Sequence, residues 1–147
     1  MSKVILLDTG PLGLVTHPRD HHGAGPWLTQ LLLRRTAVRV PEIADYELRR
    51  ELIRAGKSRS IGRLNGIKQT LGYLPLDTDT MLLAADLWAK SRSAGNPLAD
   101  DAALDGDVIL AAQAQILAAS GHEVIIATTN ARHLSTLVDA RLWSDVS

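Results

Sequence analysis

The chain has 147 residues, no cysteine, and sixteen basic side chains balanced by sixteen acidic ones. This length predicts one domain, residues 1–147, and the composition excludes a disulfide scaffold, thiolate metal sites and a general electrostatic attraction to nucleic acid. Because the apolar start of the chain is too short for a signal peptide or a membrane span, we expect a cytoplasmic protein with no membrane contact.

Short apolar runs alternate with helical spacings along the whole chain. The first half predicts a strand at Val4–Leu7, a helical turn at Pro11–Thr16, a polar loop at His17–Gly23, a helix at Pro26–Arg35, a strand at Ala37–Val40, a helix at Pro41–Gly56 and a basic helix at Ser60–Leu71. The second half predicts a strand at Tyr73–Leu76, a helix at Asp79–Ser93 capped by Asp77 or Thr78 and ended by Gly95, a polar loop at Asn96–Leu104, a helix at Asp107–Ser120 stopped by Gly121, a strand at Glu123–Thr128, a short helix at Arg132–Val138 and a fifth strand at Arg141–Trp143. This alternation is typical of βαβ units, so we predict an α/β fold with a central parallel sheet of four to five strands and helices on both faces.

Acidic and amide side chains occur where such a sheet would gather them. The four positions are Asp8 directly after the first strand, Glu47 in the helix after the second, Asp107 at the start of the most apolar helix, and Asn130 after the fourth strand. Ligands in open parallel sheets bind at the carboxyl ends of the strands. Carboxylates brought together there repel each other, so the pattern favours a hard divalent cation as the ligand.

Three of these positions also have simpler explanations. Asp8 and Asn130 suit turns that follow a strand, because short polar side chains bond nearby backbone groups. Glu47 lies at the border of the buried face of its helix, where it can pair with Arg50 or Arg54 instead of a metal.

The helix that begins at Asp107 is apolar almost throughout. Asp105 suits the N-cap of this helix, although it remains a further candidate metal ligand. If Asp105 caps the helix, Asp107 needs another reason to be charged beside an apolar core, and a metal supplies one. Thr9 and Thr128 are candidate hydroxyl supports for the carboxylates, although threonine is common at strand ends.

The zero net charge conceals a basic stretch. Between Arg49 and Lys68 there are seven basic residues and one acid, Glu51, whereas the segment from Asp77 to Asp107 holds seven acids and two bases. Two solvated helix faces explain this distribution as well as a binding surface does.

Four segments in a fixed order resemble a known family. They are Leu6–Thr9, Pro41–Leu48, Asp107–Ala112 and Ala127–Asn130, which spread over most of the chain. Together they resemble the PIN domain, the fold of VapC-type toxin ribonucleases and related nucleases. The resemblance implies a three-layer α/β/α domain in which Asp8, Glu47 and Asp107 hold Mg²⁺ or Mn²⁺, with position 130 as the fourth member. Family members often carry Asp at that position, and this chain carries Asn130.

The resemblance implies a metal-dependent ribonuclease in which an activated water cleaves RNA. The basic stretch would contact the RNA backbone, with Arg49, Arg50 and Arg54 as the candidate residues, and offset the repulsion between phosphate and the acidic site. An antitoxin protein and a homodimer are the partners expected of such a toxin. The alternative is an RNA-binding or protein-interaction module of PIN fold with weak or no catalysis, which Asn130 favours.

Overall fold

A computed structural model describes residues 2–20, 22–94 and 101–147. Its strands are β1 (Lys3–Leu7), β2 (Ala37–Pro41), β3 (Tyr73–Leu74), β4 (Glu123–Thr128) and β5 (Ala140–Leu142). Its helices are α1 (Thr9–Thr16), α2 (Ala24–Leu33), α3 (Glu42–Arg54), α4 (Ser58–Leu71), α5 (Thr78–Ser93) and α6 (Asp101–Ala119), with short 3₁₀ helices at Leu134–Thr136 and Trp143–Asp145. None of the described helices is long and apolar enough to cross a membrane.

The five strands form one parallel sheet in the order β3-β2-β1-β4-β5. The central strand β1 pairs with β2 on one side and with β4 on the other, with Leu7 opposite Ala127. The chain therefore moves outward in one direction through β2 and β3 and in the other through β4 and β5. This reversal of strand order lies beside the carboxyl end of β1, where ligands bind in open α/β sheets.

Side chains alternate between the two faces of the sheet along β1. Ile5 and Leu7 pack in a core cluster with residues of α1, α2 and α4, whereas Val4 and Leu6 pack in a second cluster with residues of α6. A strand with apolar residues on both faces is the pattern of a sheet covered by helices on both sides. The predicted three-layer α/β/α architecture with a central parallel sheet is confirmed.

Several predicted boundaries are wrong by a few residues. The third strand covers only Tyr73–Leu74, the helix predicted at Arg132–Val138 is a 3₁₀ helix at Leu134–Thr136, and the fifth strand begins at Ala140. Asp77 is the N-cap of α5, where its Oδ1 accepts a hydrogen bond from the Thr80 N–H at 2.8 Å. Gly95, predicted to end α5, lies outside the described residues.

The start of α6 is the largest error of the sequence prediction. We predicted a loop at Asn96–Leu104 and a helix from Asp107, but the helix already begins at Asp101, while residues 96–100 lie outside the described part of the chain. Leu104, Val108 and Ala112 are buried against Ala84 of α5. Their spacing of four residues places them on one face of α6, and this contact holds the first turns of the helix against α5.

Candidate active site

Asp8 lies at the carboxyl end of the central strand and is held by two hydrogen bonds. As the N-cap of α1, it accepts a hydrogen bond from the Thr9 N–H to Oδ1 at 2.7 Å. Its Oδ2 accepts a second bond from the Thr128 hydroxyl at 2.7 Å. Because Thr128 ends the adjacent strand β4, the pairing of the two strands fixes the orientation of this carboxylate.

Glu47 reaches the same place from the middle of α3. The Thr9 hydroxyl donates a hydrogen bond to Glu47 Oε1 at 3.3 Å, so Thr9 contacts both acids, one through its backbone and one through its side chain. Arg50 approaches Glu47 Oε2 only to 4.0 Å, the limit of an ion pair. The carboxylate is therefore oriented by a hydroxyl, with weak compensation of its charge.

Asp107 is the third acid, on the second turn of α6. It is partly buried and makes no hydrogen bond or ion pair with any residue that the structure describes. Burial first, and then the charges of Asp8 and Glu47, raise the pKa of its carboxyl to about 6. The three carboxyl groups therefore lie within one another's electrostatic field.

The charge balance at Glu47 shows the same repulsion. Burial raises the pKa of the Glu47 carboxyl, and the charge of Asp8 adds to this effect. The hydrogen bond from Thr9 and the charge of Arg50 act in the opposite direction without cancelling it. A site that holds three acids and has one distant cation is more stable when it gains a proton or a cation.

The sequence prediction missed Gly106, which contacts the site. A Cβ on this residue would lie 2.5 Å from Glu47 Oε2 and 3.0 Å from Glu47 Cδ. Glycine at this position of α6 therefore lets the Glu47 carboxylate lie against the helix backbone. A glycine inside an otherwise apolar helix was the available signal, because it is unfavourable there unless close approach requires it.

The three acids fit a hard divalent cation by the chemistry of their donor atoms. Carboxylate oxygens are the ligands that Mg²⁺ and Mn²⁺ prefer, and they come from three separate elements beside the carboxyl end of β1. In the described part of the chain, however, no group of three His, Asp or Glu side chains is arranged so that it could hold an ion as it stands. Binding would require the carboxylates to rotate toward a common point.

The structure does not bring Asp105 to the three acids. Asp105 is exposed and lines a separate groove with Met81 and Trp88 of α5. It lies two residues before Asp107, and residues at that spacing face different sides of a helix. Its role as a metal ligand stays a prediction, whereas its predicted role as N-cap is wrong, because α6 begins four residues earlier at Asp101.

Asn130 lies close to the site but its side chain is engaged elsewhere. Its Oδ1 accepts a hydrogen bond from the Arg132 N–H at 3.2 Å, which closes a turn after β4. Its own N–H donates to the Thr128 hydroxyl at 3.1 Å. Asn130 therefore supports Thr128 in this conformation, and its role as a metal ligand stays a prediction.

The three arginines predicted to contact RNA have different surroundings. Arg49 forms a 2.9 Å ion pair with the buried Asp45, and Arg54 forms a 2.7 Å ion pair with Glu51 on the surface. Arg50 lies 5.1 Å from the centre of the Tyr46 ring and beside Glu47. Of the three, Arg50 is the one placed next to the acidic site.

No protein-family model and no curated protein sequence matches this chain. Solved structures do match it over nearly its whole length. VapBC2 from Rickettsia felis, bound to a DNA fragment from its promoter, has a TM-score of 0.75 at 12% identity and covers 95% of this chain and 98% of that chain.

Two further solved structures give similar values. FitAcB from Neisseria gonorrhoeae has a TM-score of 0.70 at 22% identity, covering 97% of this chain and 99% of that chain. DNA-bound VapBC from Salmonella typhimurium has a TM-score of 0.69 at 18% identity, with the same coverage. At these identities the likeness shows the fold, and it confirms the PIN-like fold that the four sequence segments predicted.

Proposed function

We propose that this chain is a divalent-metal-dependent ribonuclease that acts as the toxin of a toxin–antitoxin pair. One observation carries the proposal: Asp8, Glu47 and Asp107 come from three elements into one another's electrostatic field beside the switch point of the sheet. Such a collection of acids is costly to the fold, and a cation that binds the folded state offsets the cost. The PIN-like fold agrees with this assignment.

In this proposal each residue has a role that its contacts support. Mg²⁺ or Mn²⁺ held by the three acids would lower the pKa of a water and offset the charge that builds on the scissile phosphate. Thr128 and Thr9 fix the orientation of Asp8 and Glu47 through the hydrogen bonds described above. Arg50, next to Glu47, would contact the RNA phosphate that approaches the site.

The proposed partners follow from the same reasoning. The structural neighbours are VapBC2, VapBC and FitAcB, the first two bound to DNA. We propose an antitoxin protein as the partner of this chain and a homodimer as its own assembly. Size-exclusion chromatography with light scattering on the purified chain tests the dimer.

The rival function is an RNA-binding or protein-interaction module of the same fold without catalysis. Two observations favour it. No three acids in the described residues could hold an ion as they stand, and the Asn130 side chain bonds Arg132 rather than the site. A cleavage assay with and without Mn²⁺ distinguishes the two functions.

Replacing Asp8 with Asn is expected to lower Mn²⁺-dependent cleavage of RNA at least about a hundredfold, because one of three charged ligands is lost. The measurement is cleavage of a panel of structured RNAs with Mn²⁺ and with EDTA. Asp86→Asn is the matched control, because Asp86 lies on the surface of α5 in an ion pair with Lys90. Equal cleavage by wild type and Asp8→Asn, or no cleavage by either despite tight RNA binding, would contradict the nuclease.

Replacing Gly106 with Ala is expected to weaken Mn²⁺ binding about tenfold without loss of stability. The new methyl group displaces the flexible end of the Glu47 side chain, while alanine is the better helix former. Gly66→Ala in α4 is the control, because a Cβ there meets nothing within 4 Å. It should stabilise the protein by about 0.5–1 kcal/mol and leave Mn²⁺ binding unchanged. Equal Mn²⁺ affinity of the two variants in calorimetric titrations would contradict the assigned role of Glu47.

A further inference from the structure

A basic groove of about 500 Å³ lies at the start of α4, away from the three acids. Its walls come from the segment after α1 and from the junction between α3 and α4. Arg19, Lys57 and Arg59 are exposed on its rim, and Ser58 and Ser60 of the first turn of α4 line it. The groove thus combines a helix N-terminus with three cations.

The N-terminus of α4 lacks the usual capping groups. Its N-cap is Lys57, whose side chain has no acceptor atom, and no acid occurs in the first turn. The N–H groups of Arg59 and Ser60 form no hydrogen bond with any described residue. Unsatisfied N–H groups and the helix dipole both favour an anion at this position.

Ser60 is an independent observation that indicates a ligand. The residue is only 6% exposed, yet its hydroxyl forms no hydrogen bond within the described part of the chain. Among the described residues its oxygen is not one of the fully enclosed atoms that lack a partner, so the hydroxyl reaches the groove that Ser60 lines and can bond a ligand there. An oxyanion seated on the first turn of α4 would accept hydrogen bonds from this hydroxyl and from the two N–H groups.

The basic residues of the groove are also available for a ligand. Within the stretch from Arg49 to Lys68, Arg49 and Lys68 both pair with Asp45, and Arg63 donates to the Thr16 carbonyl. By contrast, the side chains of Lys57, Arg59 and Arg19 form no hydrogen bond or ion pair with the described residues. The cations left without an acid thus collect around the uncapped helix start.

We propose that this groove binds a phosphate group of the RNA strand, a few nucleotides from the bond that is cleaved. Helices α1 and α3 lie side by side between the two places: Thr9 contacts Glu47 at the acidic site, and His17 and Leu52 line the groove at the other end. The eight residues from Thr9 to His17 correspond to roughly 12 Å along a helix. The RNA source of the phosphate rests on the proposed function, whereas the phosphate site itself does not.

The phosphate site is tested with inorganic phosphate and the metal-free wild-type protein. We expect titration at constant ionic strength to shift the ¹H–¹⁵N resonances of Arg59 and Ser60, with smaller shifts in the Ser60→Ala variant. Unchanged resonances up to high millimolar phosphate would overturn the site. This measurement is independent of any ribonuclease activity.

The RNA source is tested by fluorescence anisotropy with a labelled single-stranded RNA in EDTA, where no cleavage occurs. Arg59→Ala is expected to weaken binding about tenfold and to reduce the salt slope by about one. Ser58→Asp should weaken binding at least as much while keeping or raising the stability of α4, because an acid in the first turn is favourable to the helix. If this turn only supports the fold, a Ser58→Asp variant with equal or higher stability should bind RNA as well as the wild type, and that result would contradict the assignment to RNA.

Lys90→Ala is the matched control, since it also removes one surface cation but lies on α5, paired with Asp86. An equal loss of affinity in Lys90→Ala and Arg59→Ala would show a general charge effect and overturn the assignment to RNA. Unchanged affinity in Arg59→Ala and Ser58→Asp would do the same. If the wild type binds no RNA, the assignment to RNA fails together with the proposed function, while the phosphate titration still decides the site.

Discussion

Replacing Asp107 with Asn is expected to stabilise the metal-free protein at pH 7.5 and to abolish Mn²⁺-dependent cleavage. The carboxyl group is partly buried near two other acids and has no hydrogen-bond or ion-pair partner among the described residues. An amide of the same shape removes the repulsion but also removes a charged ligand. Opposite effects on stability and activity are typical of a residue kept for function at a cost to the fold.

The direction of this stability change and the pH range where it occurs follow from the pKa of Asp107, which rises from 3.8 to about 6 in the folded protein. The folded state therefore holds the proton more tightly than the unfolded state does. The stability that the protonated Asp107 carboxyl contributes is fully present below about pH 4 and is lost as the pH rises through about 6. Because the carboxyl is only partly buried, we expect a loss of about 1–2 kcal/mol, less than the shift alone would give.

Urea unfolding of wild type and Asp107→Asn in EDTA at pH 4 and pH 7.5 measures this difference. The stabilisation by Asn should appear at pH 7.5 and disappear at pH 4, and Mn²⁺ in place of EDTA should stabilise the wild type but not Asp107→Asn. Asp105→Asn is the matched control, because that carboxylate is two residues away and exposed. Equal behaviour of the two variants, or stabilisation of Asp107→Asn by Mn²⁺, would contradict the assignment.

The layered fold was predictable because its signals are local. The runs Val4–Leu7 and Glu123–Thr128 are apolar and end in polar residues, so their place in the sheet could be inferred without tertiary information. Asp8 could be placed for the same reason, since it directly follows such a run. The parallel pairing of β1 with β4 then brings Thr128 to Asp8, because both residues lie at the carboxyl ends of these neighbouring strands.

The start of α6 was not predictable from local signals. Asp105 followed by Gly106 predicts a helix N-cap, and the preceding residues show no strong helical spacing of apolar side chains. In the structure, Leu104 packs against α5, and Gly106 is needed because Glu47 of α3 lies against it. Both contacts join residues far apart in sequence, so tertiary packing overrides the local pattern.

The pairing of the basic stretch was not predictable for a similar reason. The pattern from Arg49 to Lys68 shows charge but not the partner of each charge. Arg49 and Lys68 both pair with Asp45. No local pattern singles out this residue, because its partners lie on α3, α4 and β3. A buried acid between two helices is visible only after the helices are packed together.

Replacing Asp45 with Ala is expected to destabilise the protein by about 3 kcal/mol. Asp45 is 5% exposed and receives Arg49 at 2.9 Å, Lys68 at 2.8 Å and the Tyr73 hydroxyl at 3.2 Å. Removing one member of a buried ion network leaves the others without compensation, which typically costs 3–5 kcal/mol. We expect the lower end of that range, because Arg49 and Lys68 are about one-quarter exposed and regain some hydration.

Urea unfolding of Asp45→Ala beside Glu51→Ala separates this network from an ordinary surface pair. Glu51 lies on the same helix and pairs with Arg54, but both side chains are exposed, so its removal should change stability by less than about 0.5 kcal/mol. Lys68→Met tests the coupling between Lys68 and Asp45. In the double variant Asp45→Ala with Lys68→Met, the loss of unfolding free energy should be smaller than the sum of the two single losses. Additive losses, or equal effects of Asp45→Ala and Glu51→Ala, would show that the network does not hold α3, α4 and β3 together.

Since Glu47 lies two residues from Asp45 on α3, a loss of this network is also expected to displace the acidic site. A fall in the Mn²⁺ affinity of the still-folded Asp45→Ala variant would measure this displacement.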